Sequence, residues 1–381
     1  MIRTLRLKNF KCFADQLFNL SPLTLLSGLN GTGKSSVIQS LLLLRQSYQQ
    51  GLLPDKGLAL NGDLVRIGTA QDALFEGAQE TQISFELGWE AELKLEWLFD
   101  YNPEADVMKL ASGPVGEAVF QTSLFKDEFH YLSAERIGPR TSFEMSDYQV
   151  RQHGQLGTSG EFTAHYLSLF EREDIPNTLL AHPAANSEQL LAQVEAWLSE
   201  VSPGTRLSFK SHSGMDLVAL QYSFTSGKMV SNLYRPTNVG FGITYILPVL
   251  VALLSAKREA LVLLENPEAH LHPQGQVRIG ELIAMTAASG VQVLLETHSD
   301  HVLNGIRLAV HAGKIEPSQV KLQYFKRGET NGQACSEVLS PQIDRDGRID
   351  QWPEGFFDEF DKSLEALLAP RRADSDGNGV Q

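Results

Sequence analysis

The chain has 381 residues, 42% of them hydrophobic, and a formal net charge of −14. That size supports a substantial core, in two structural units or one large domain with insertions, while the acidic balance argues against a broadly basic nucleic-acid-binding body. An apolar run of the about 18 residues that span a membrane is missing, as are a secretory signal and any metal or disulfide spacing for Cys12 and Cys335, so a cytoplasmic protein is expected.

Leu5-Arg-Leu-Lys-Asn-Phe-Lys-Cys-Phe opens the chain as a strand, with Lys8 and Lys11 on a solvated face. Residues 23–27 form a second, apolar strand, and Gly28-Leu-Asn-Gly-Thr-Gly-Lys-Ser-Ser36 follows it as a complete Walker A loop. In such a loop the backbone of Asn30, Gly31 and Gly33 surrounds a nucleotide's phosphates, and Lys34 reaches the β- and γ-phosphates. The Ser35 hydroxyl ligates Mg²⁺, Ser36 lies beside it, and residues 37–44 continue as a helix. The chain is therefore expected to bind ATP or GTP.

Residues 81–87, 91–99 and 106–111 alternate apolar with polar, the pattern of an antiparallel meander with one wet face. Arg136 and Arg140 follow a strand and fit either a phosphate contact or structural ion pairs. Residues 155–168 begin Gly/Ser/Thr-rich and turn helical. An amphipathic helix is expected over 187–200, with Leu190, Leu191, Val194, Trp197 and Leu198 on one stripe and a cap at Asn186 or Ser187. Strands at 206–210 and 217–225 come next.

Residues 259–265 form a leucine-rich strand that ends in a carboxylate, as a Walker B strand does. Glu265 there can bind the Mg²⁺ shell or orient the attacking water. A further buried strand, 291–296, ends in Thr297-His298-Ser299-Asp300, a polar cluster where ligands sit in open α/β sheets. Beyond it the pattern predicts a strand at 320–325, a hairpin of 334–339 with 342–346, and a helix over 356–368. The acidic run 358–362 reads as exposed helical carboxylates, and the tail from Pro370 as disordered.

Together these blocks resemble the RecF/SMC/OLD-like branch of ABC-type ATPases. The likeness lies in the opening strand, the Walker A loop, Glu265-Asn-Pro-Glu-Ala-His-Leu-His-Pro273 as Walker B and D-loop, and Thr297-His298-Ser299 as switch-histidine loop. It covers residues 1–45 and 235–326 well and the middle only loosely. It implies an α/β, P-loop ABC-type ATPase fold with a mixed central sheet, an antiparallel β subdomain and an inserted helical region. The implied division is an N-terminal ATPase lobe over 1–145, a helical and β insertion over 146–235, a C-terminal ATPase lobe over 236–369, and the tail 370–381.

The resemblance also implies that His298 approaches the γ-phosphate and that Gln71 is a candidate Q-loop glutamine on Mg²⁺ or the attacking water. It calls for a signature loop, for which residues 238–248 are the candidate. Gly240 and Gly242 would allow close backbone approach, and Thr244 would donate to a γ-phosphate at a helix N-terminus. The competing reading is a glycine turn into a buried helix over 245–255. A signature loop places ATP and Mg²⁺ between two subunits, so a homodimer is implied.

One departure stands out. The family pattern has Asp then Glu at the Walker B end, whereas this chain has Glu265 and Asn266. Asn266 cannot take up a proton at neutral pH, so turnover is expected to be slow, with Glu268 as a further source of the carboxylate. Glu265, Glu268 and His298 are thus the candidates for the hydrolytic step. His270 and His272 read as D-loop packing or cross-dimer contacts rather than a metal pair. Coiled-coil heptads, a zinc hook and an appended toprim nuclease are missing. Stand-alone relatives resemble ATPase subunits of bacterial anti-phage systems, which implies control of a separately encoded nuclease or toxin. The alternatives are a RecF-like DNA-binding ATPase of repair or recombination, and a nucleotide-bound scaffold without turnover.

Overall fold

Two short strands, Leu261–Glu265 and Gln292–Glu296, are apolar through their middles, and they set the layering of the molecule. The structure, a computed structural model, describes residues 1–89, 93–330 and 333–368. The first lobe holds β1 (Ile2–Phe10), β2 (Phe13–Asn19), β3 (Leu23–Gly28), α1 (Lys34–Gln49), β4 (Gly57–Ala59), α2 (Ala70–Ala73), β5 (Gln82–Trp89), β6 (Lys94–Asp100), β7 (Val107–Ser112) and β8 (Phe129–Leu132). There follow β9 (Phe143–Glu144), α3 (Thr163–Phe170), α4 (Leu190–Ser199), β10 (Thr205–His212), β11 (Leu217–Ser226) and β12 (Met229–Val230). The chain closes with α5 (Phe241–Ser255), β13 (Leu261–Glu265), α6 (Pro273–Ala288), β14 (Gln292–Glu296), α7 (Asp300–His311), β15 (Val320–Thr330), β16 (Gln333–Leu339) and α8 (Glu359–Leu368).

The central sheet runs in the order β16-β15-β3-β14-β13-β8, parallel throughout except where β16 pairs with β15. Side chains alternate across a strand, and a strand covered on both faces reads as a continuous apolar run. Leu261, Leu263 and Leu294 accordingly join one core with Val37, Ile38 and Leu41 of α1 and with Phe85 and Phe99. That core lies under the antiparallel sheet β2-β1-β5-β6-β7-β4. Val262, Leu264, Val293 and Leu295 join the opposite core with α5, α6 and α7. The segment between the lobes adds Leu167, Val194, Trp197 and Leu220 to that same core, and its sheet orders β10-β11-β12 with β9 on β11. α5 is apolar on every side and is buried from Ile246 to Leu254, as expected of a helix with no polar face.

α6 and α7 touch backbone to backbone. A Cβ at Gly280 would lie 2.3 Å from the Val302 carbonyl oxygen, and one at Gly305 2.1 Å from that of Val277. This contact seats α7, whose N-cap Ser299 directly follows His298. Ser299 caps the helix, accepting from the Val302 N–H at 3.1 Å and donating to Gln276 at 2.5 Å.

Three local expectations are corrected. α4 starts at Leu190, with Gln189 as an N-cap that makes no side-chain bond. Residues 188–190 are drawn out against 173–175 instead, through Ile175 N–H to Glu188 O at 2.9 Å and Leu190 N–H to Glu173 O at 2.7 Å. Residues 334–339 pair with β15, not with 342–346, while Ile343 bridges Ile349. α8 starts at Glu359 because Phe356 is buried against Tyr324, in a turn where Gly355 takes φ 83°. The predicted strand start at Ala91 and Glu92, and the tail from Pro370, lie outside the described residues. No helix among the described residues is long and apolar enough to cross a membrane.

Candidate functional site

Between β3 and α1 the backbone passes through φ 135°, 73° and 99° at Gly28, Gly31 and Gly33, conformations that side-chain-bearing residues avoid. The loop is also tightly clasped. A Cβ at Gly28 would lie 2.1 Å from the Phe325 carbonyl oxygen, and one at Gly33 2.4 Å from Cys12 Sγ. α1 has no side-chain cap and no acidic residue in its first turn, so its leading N–H groups are open to an anion. Asn30 and Gly31 are exposed at the crest, and Ser36 is buried within the first turn. Lys34 is buried, its Nζ donating to the carbonyls of Gly28 at 3.0 Å and Leu29 at 2.8 Å. Burial lowers its ammonium below the ordinary range, and Glu296 offsets part of that.

Parallel pairing aligns the strand ends. Glu265 and Glu296 are Cα partners, and Glu296 is the partner of Leu26 on the other side. Ser35 Oγ donates to both Glu296 oxygens, at 3.0 and 3.2 Å, and Lys34 Nζ stands 3.9 Å away. Burial first, and the charge of Glu265 second, push the Glu296 carboxyl up to about 7. Burial also raises Glu265, whose oxygens accept from the Tyr131 hydroxyl at 3.0 Å and the Ala134 N–H at 3.3 Å. Glu296 is the site residue that sequence reasoning missed. The available signal was a charged residue closing an otherwise apolar strand, one position before Thr297-His298.

Glu268 and His298 are brought together. One Glu268 oxygen accepts from the His298 N–H at 2.9 Å, while the other is buried without a hydrogen-bond partner. Partial burial and the charge of Lys34 hold the His298 ring below its ordinary pKa, and Glu268 offsets part of that. Asn266 takes a left-handed φ of 45°, and its Oδ1 is likewise buried and unpaired. Arg136 clasps this turn. Its Nη1 donates to the Glu265 carbonyl at 2.7 Å and the Ser133 carbonyl at 3.1 Å, and its Nη2 donates to the Asn266 carbonyl. Burial lowers the guanidinium to about 10. Arg136 is thus committed to backbone, and Arg140 is exposed.

α5 begins at Phe241 with Gly240 as its N-cap, and both residues are exposed. Gly242 meets the D-loop instead of open solvent: a Cβ there would lie 2.4 Å from the His270 carbonyl oxygen. The rings of Phe241 and Tyr245 pack on His270 at 5.4 and 4.7 Å. His272 caps α6, accepting from the Gln274 N–H at 3.4 Å. Thr244, one turn into α5, is buried beside Tyr222 of β11, whereas Gly240 and Phe241 are exposed. Gln71 is exposed on α2, and no hydrogen bond joins its side chain to Ser35, Glu265 or Glu296.

Three family models match the chain. One, described as "AAA ATPase domain", covers residues 1–148. A second, "AAA domain, putative AbiEii toxin, Type IV TA system", covers 220–304, and a third, a protein of unknown function (DUF3696), covers 315–367. No curated protein matches. Among solved structures, the fold is similar to an SMC head bound to the C-winged helix domain of ScpA, at 14% identity, 89% coverage of this chain, 98% of that one and a TM-score of 0.55. The SMC head domain from Thermotoga maritima matches at 14% identity, with coverages of 89% and 98% and a TM-score of 0.46. An Smc head with an extended coiled coil, bound to the C-terminal domain of ScpA derived from Pyrococcus furiosus, matches at 13% identity, 96% and 99% coverage and a TM-score of 0.49. The chain has the mixed α/β fold of an SMC head. The Walker A loop falls within one ATPase model, and Glu265, Glu268 and His298 within the other.

Proposed function

We propose that this chain, an ABC-type AAA ATPase of the RecF/SMC/OLD kind, is a slow ATP-operated switch that dimerises around nucleotide and controls a separately encoded effector, a nuclease or toxin, in anti-phage defence. One observation carries the reading. An intact phosphate loop shares a sheet edge with the end of β13, where Asn266 stands in place of a carboxylate, so nucleotide would be gripped well and hydrolysed slowly. The description of the model over 220–304 supports a defence setting. An SMC head of this fold bound to a domain of a separate protein supports docking of a partner.

The residues fit Mg²⁺–ATP. The uncapped N-terminus of α1, the glycine turns and the buried Lys34 suit phosphates, and the Ser35 hydroxyl suits a hard cation. The buried charge of Glu265 adds to burial in raising the Glu296 carboxyl, a repulsion that a divalent cation would relieve. When bound, Mg²⁺ would neutralise charge developing on the phosphates. Lys34 would leave its two carbonyls for the phosphates. Glu268, with one oxygen fixed by the His298 N–H and the other free, would orient the attacking water, and the His298 ring would face the γ-phosphate. Gly240 and Phe241, exposed at the uncapped start of α5, would cover the nucleotide of the second subunit.

The test is ATP hydrolysis by the purified protein, alone, with DNA, and with the product of the neighbouring gene. Turnover of about 1 per second or slower is expected, lost in Lys34→Ala and changed severalfold by the neighbour's product. Stimulation by DNA alone would move the protein to RecF-like repair. No turnover in any condition would leave an ATP-held scaffold.

A further inference from the structure

We propose that Glu296, at the end of β14, is the metal-facing carboxylate of this site, a role that the strand-end pair Glu265-Asn266 on β13 does not fill. The inference rests on the nucleotide site and not on what the dimer regulates.

Strand order is the first support. β14 lies between β3 and β13, so Glu296 is next to the phosphate loop and Glu265 is one strand further away. Hydrogen bonding is the second. Both Glu265 oxygens are already held from the β8 side, by Tyr131 and Ala134. Among the described residues, the Glu296 carboxylate has its partners in the loop itself, Ser35 and Lys34. The Ser35 Oγ to Glu296 Oε2 separation is 3.0 Å. Adjacent oxygens in an octahedral shell about 2.1 Å from Mg²⁺ are about 3.0 Å apart, so the pair matches one edge of such a shell.

Charge balance is the third support. Lys34 is the cation nearest Glu296, at 3.9 Å, and it would turn to the phosphates once nucleotide entered. Glu296 would then be a buried carboxylate beside Glu265 with no cation, a costly arrangement. A divalent ion arriving with ATP restores the balance. The competing account is a placeholder: Glu296 only neutralises Lys34 in the empty site and withdraws from the nucleotide afterwards.

The two accounts differ in one measurable ratio, the affinity for a fluorescent ATP analogue in Mg²⁺ divided by that in EDTA. Wild type should bind at least about tenfold more tightly with Mg²⁺. Glu296→Gln and Glu296→Thr, the latter β-branched to suit a strand, should each bring the ratio below about two while leaving EDTA affinity unchanged or higher. Glu296→Asp, which keeps the charge, should retain most of the ratio. Mn²⁺ binding in the presence of the analogue, followed by the loss of the free-ion EPR signal, should fall in step in the neutral variants. If either folded neutral variant keeps the wild-type ratio, or gains affinity equally with and without Mg²⁺, Glu296 is a placeholder and the proposal is wrong. A wild type that binds no analogue at all would overturn the nucleotide site itself.

Discussion

Lys34 spans the mouth of its loop with bonds to two carbonyls and is nearly out of contact with water, so removing it deletes the only side-chain charge the loop can offer a phosphate. Lys34→Ala should lower hydrolysis by at least about a hundredfold, read from turnover at saturating ATP. Glu268→Gln keeps the bond to the His298 N–H but loses the free carboxylate oxygen. It should lower kcat by about 10- to 100-fold with little change in KM. One titration lies away from the site. His130 is buried on β8 near Arg45 with Nδ1 unpaired, and burial, then Arg45, hold it down to about 4. Between that value and its ordinary 6.5, the unfolded chain takes up a proton that the folded chain refuses. Its contribution to stability is therefore full above 6.5 and lost as pH falls towards 4, about 2 kcal/mol of it by pH 5. His130→Leu should flatten the fall in thermal midpoint between pH 7 and pH 5; an unchanged slope would remove His130 as its source.

At the scale of elements, the start of α5 is set by its approach to the D-loop. Ala is a better helix former than Gly by about 1 kcal/mol, but a Cβ at 242 would sit 2.4 Å from a fixed backbone oxygen. The clash should win. Gly242→Ala is expected to destabilise the protein by about 1–2 kcal/mol, measured by urea unfolding, and to loosen Phe241 from His270. What could be read from sequence at this scale followed locality. The alternating runs of β5, β6 and β7, the Walker A turn and the strand ends at Glu265 and His298 depend on neighbours along the chain. The start of α4, the partner of β16 and the burial of Thr244 depend on segments far away, which a pattern of residues does not encode. Glu296 and Arg136 belong to the same class. Their chemistry comes from which strand lies beside which: β14 between β3 and β13 for Glu296, and β8 beside β13 for Arg136.

Over the whole molecule, two cores flank one sheet, and the polar ends of β3, β14 and β13 open on a single edge between them. The exposed Gly240 and Phe241 are joined to that edge through His270 and the D-loop, so a partner docking on α5 would bear directly on Glu268 and His298. With a net charge of −14, the closed form should not depend on DNA, and added duplex should leave its population unchanged at physiological salt. The most direct test is the solution mass of Glu268→Gln by light scattering, with and without Mg²⁺ and ATP. The expected result is a mass near twice the 42.1 kDa of the chain with ATP, returning to a single-chain mass once nucleotide is removed. A single-chain mass at saturating ATP would contradict a switch closed by nucleotide.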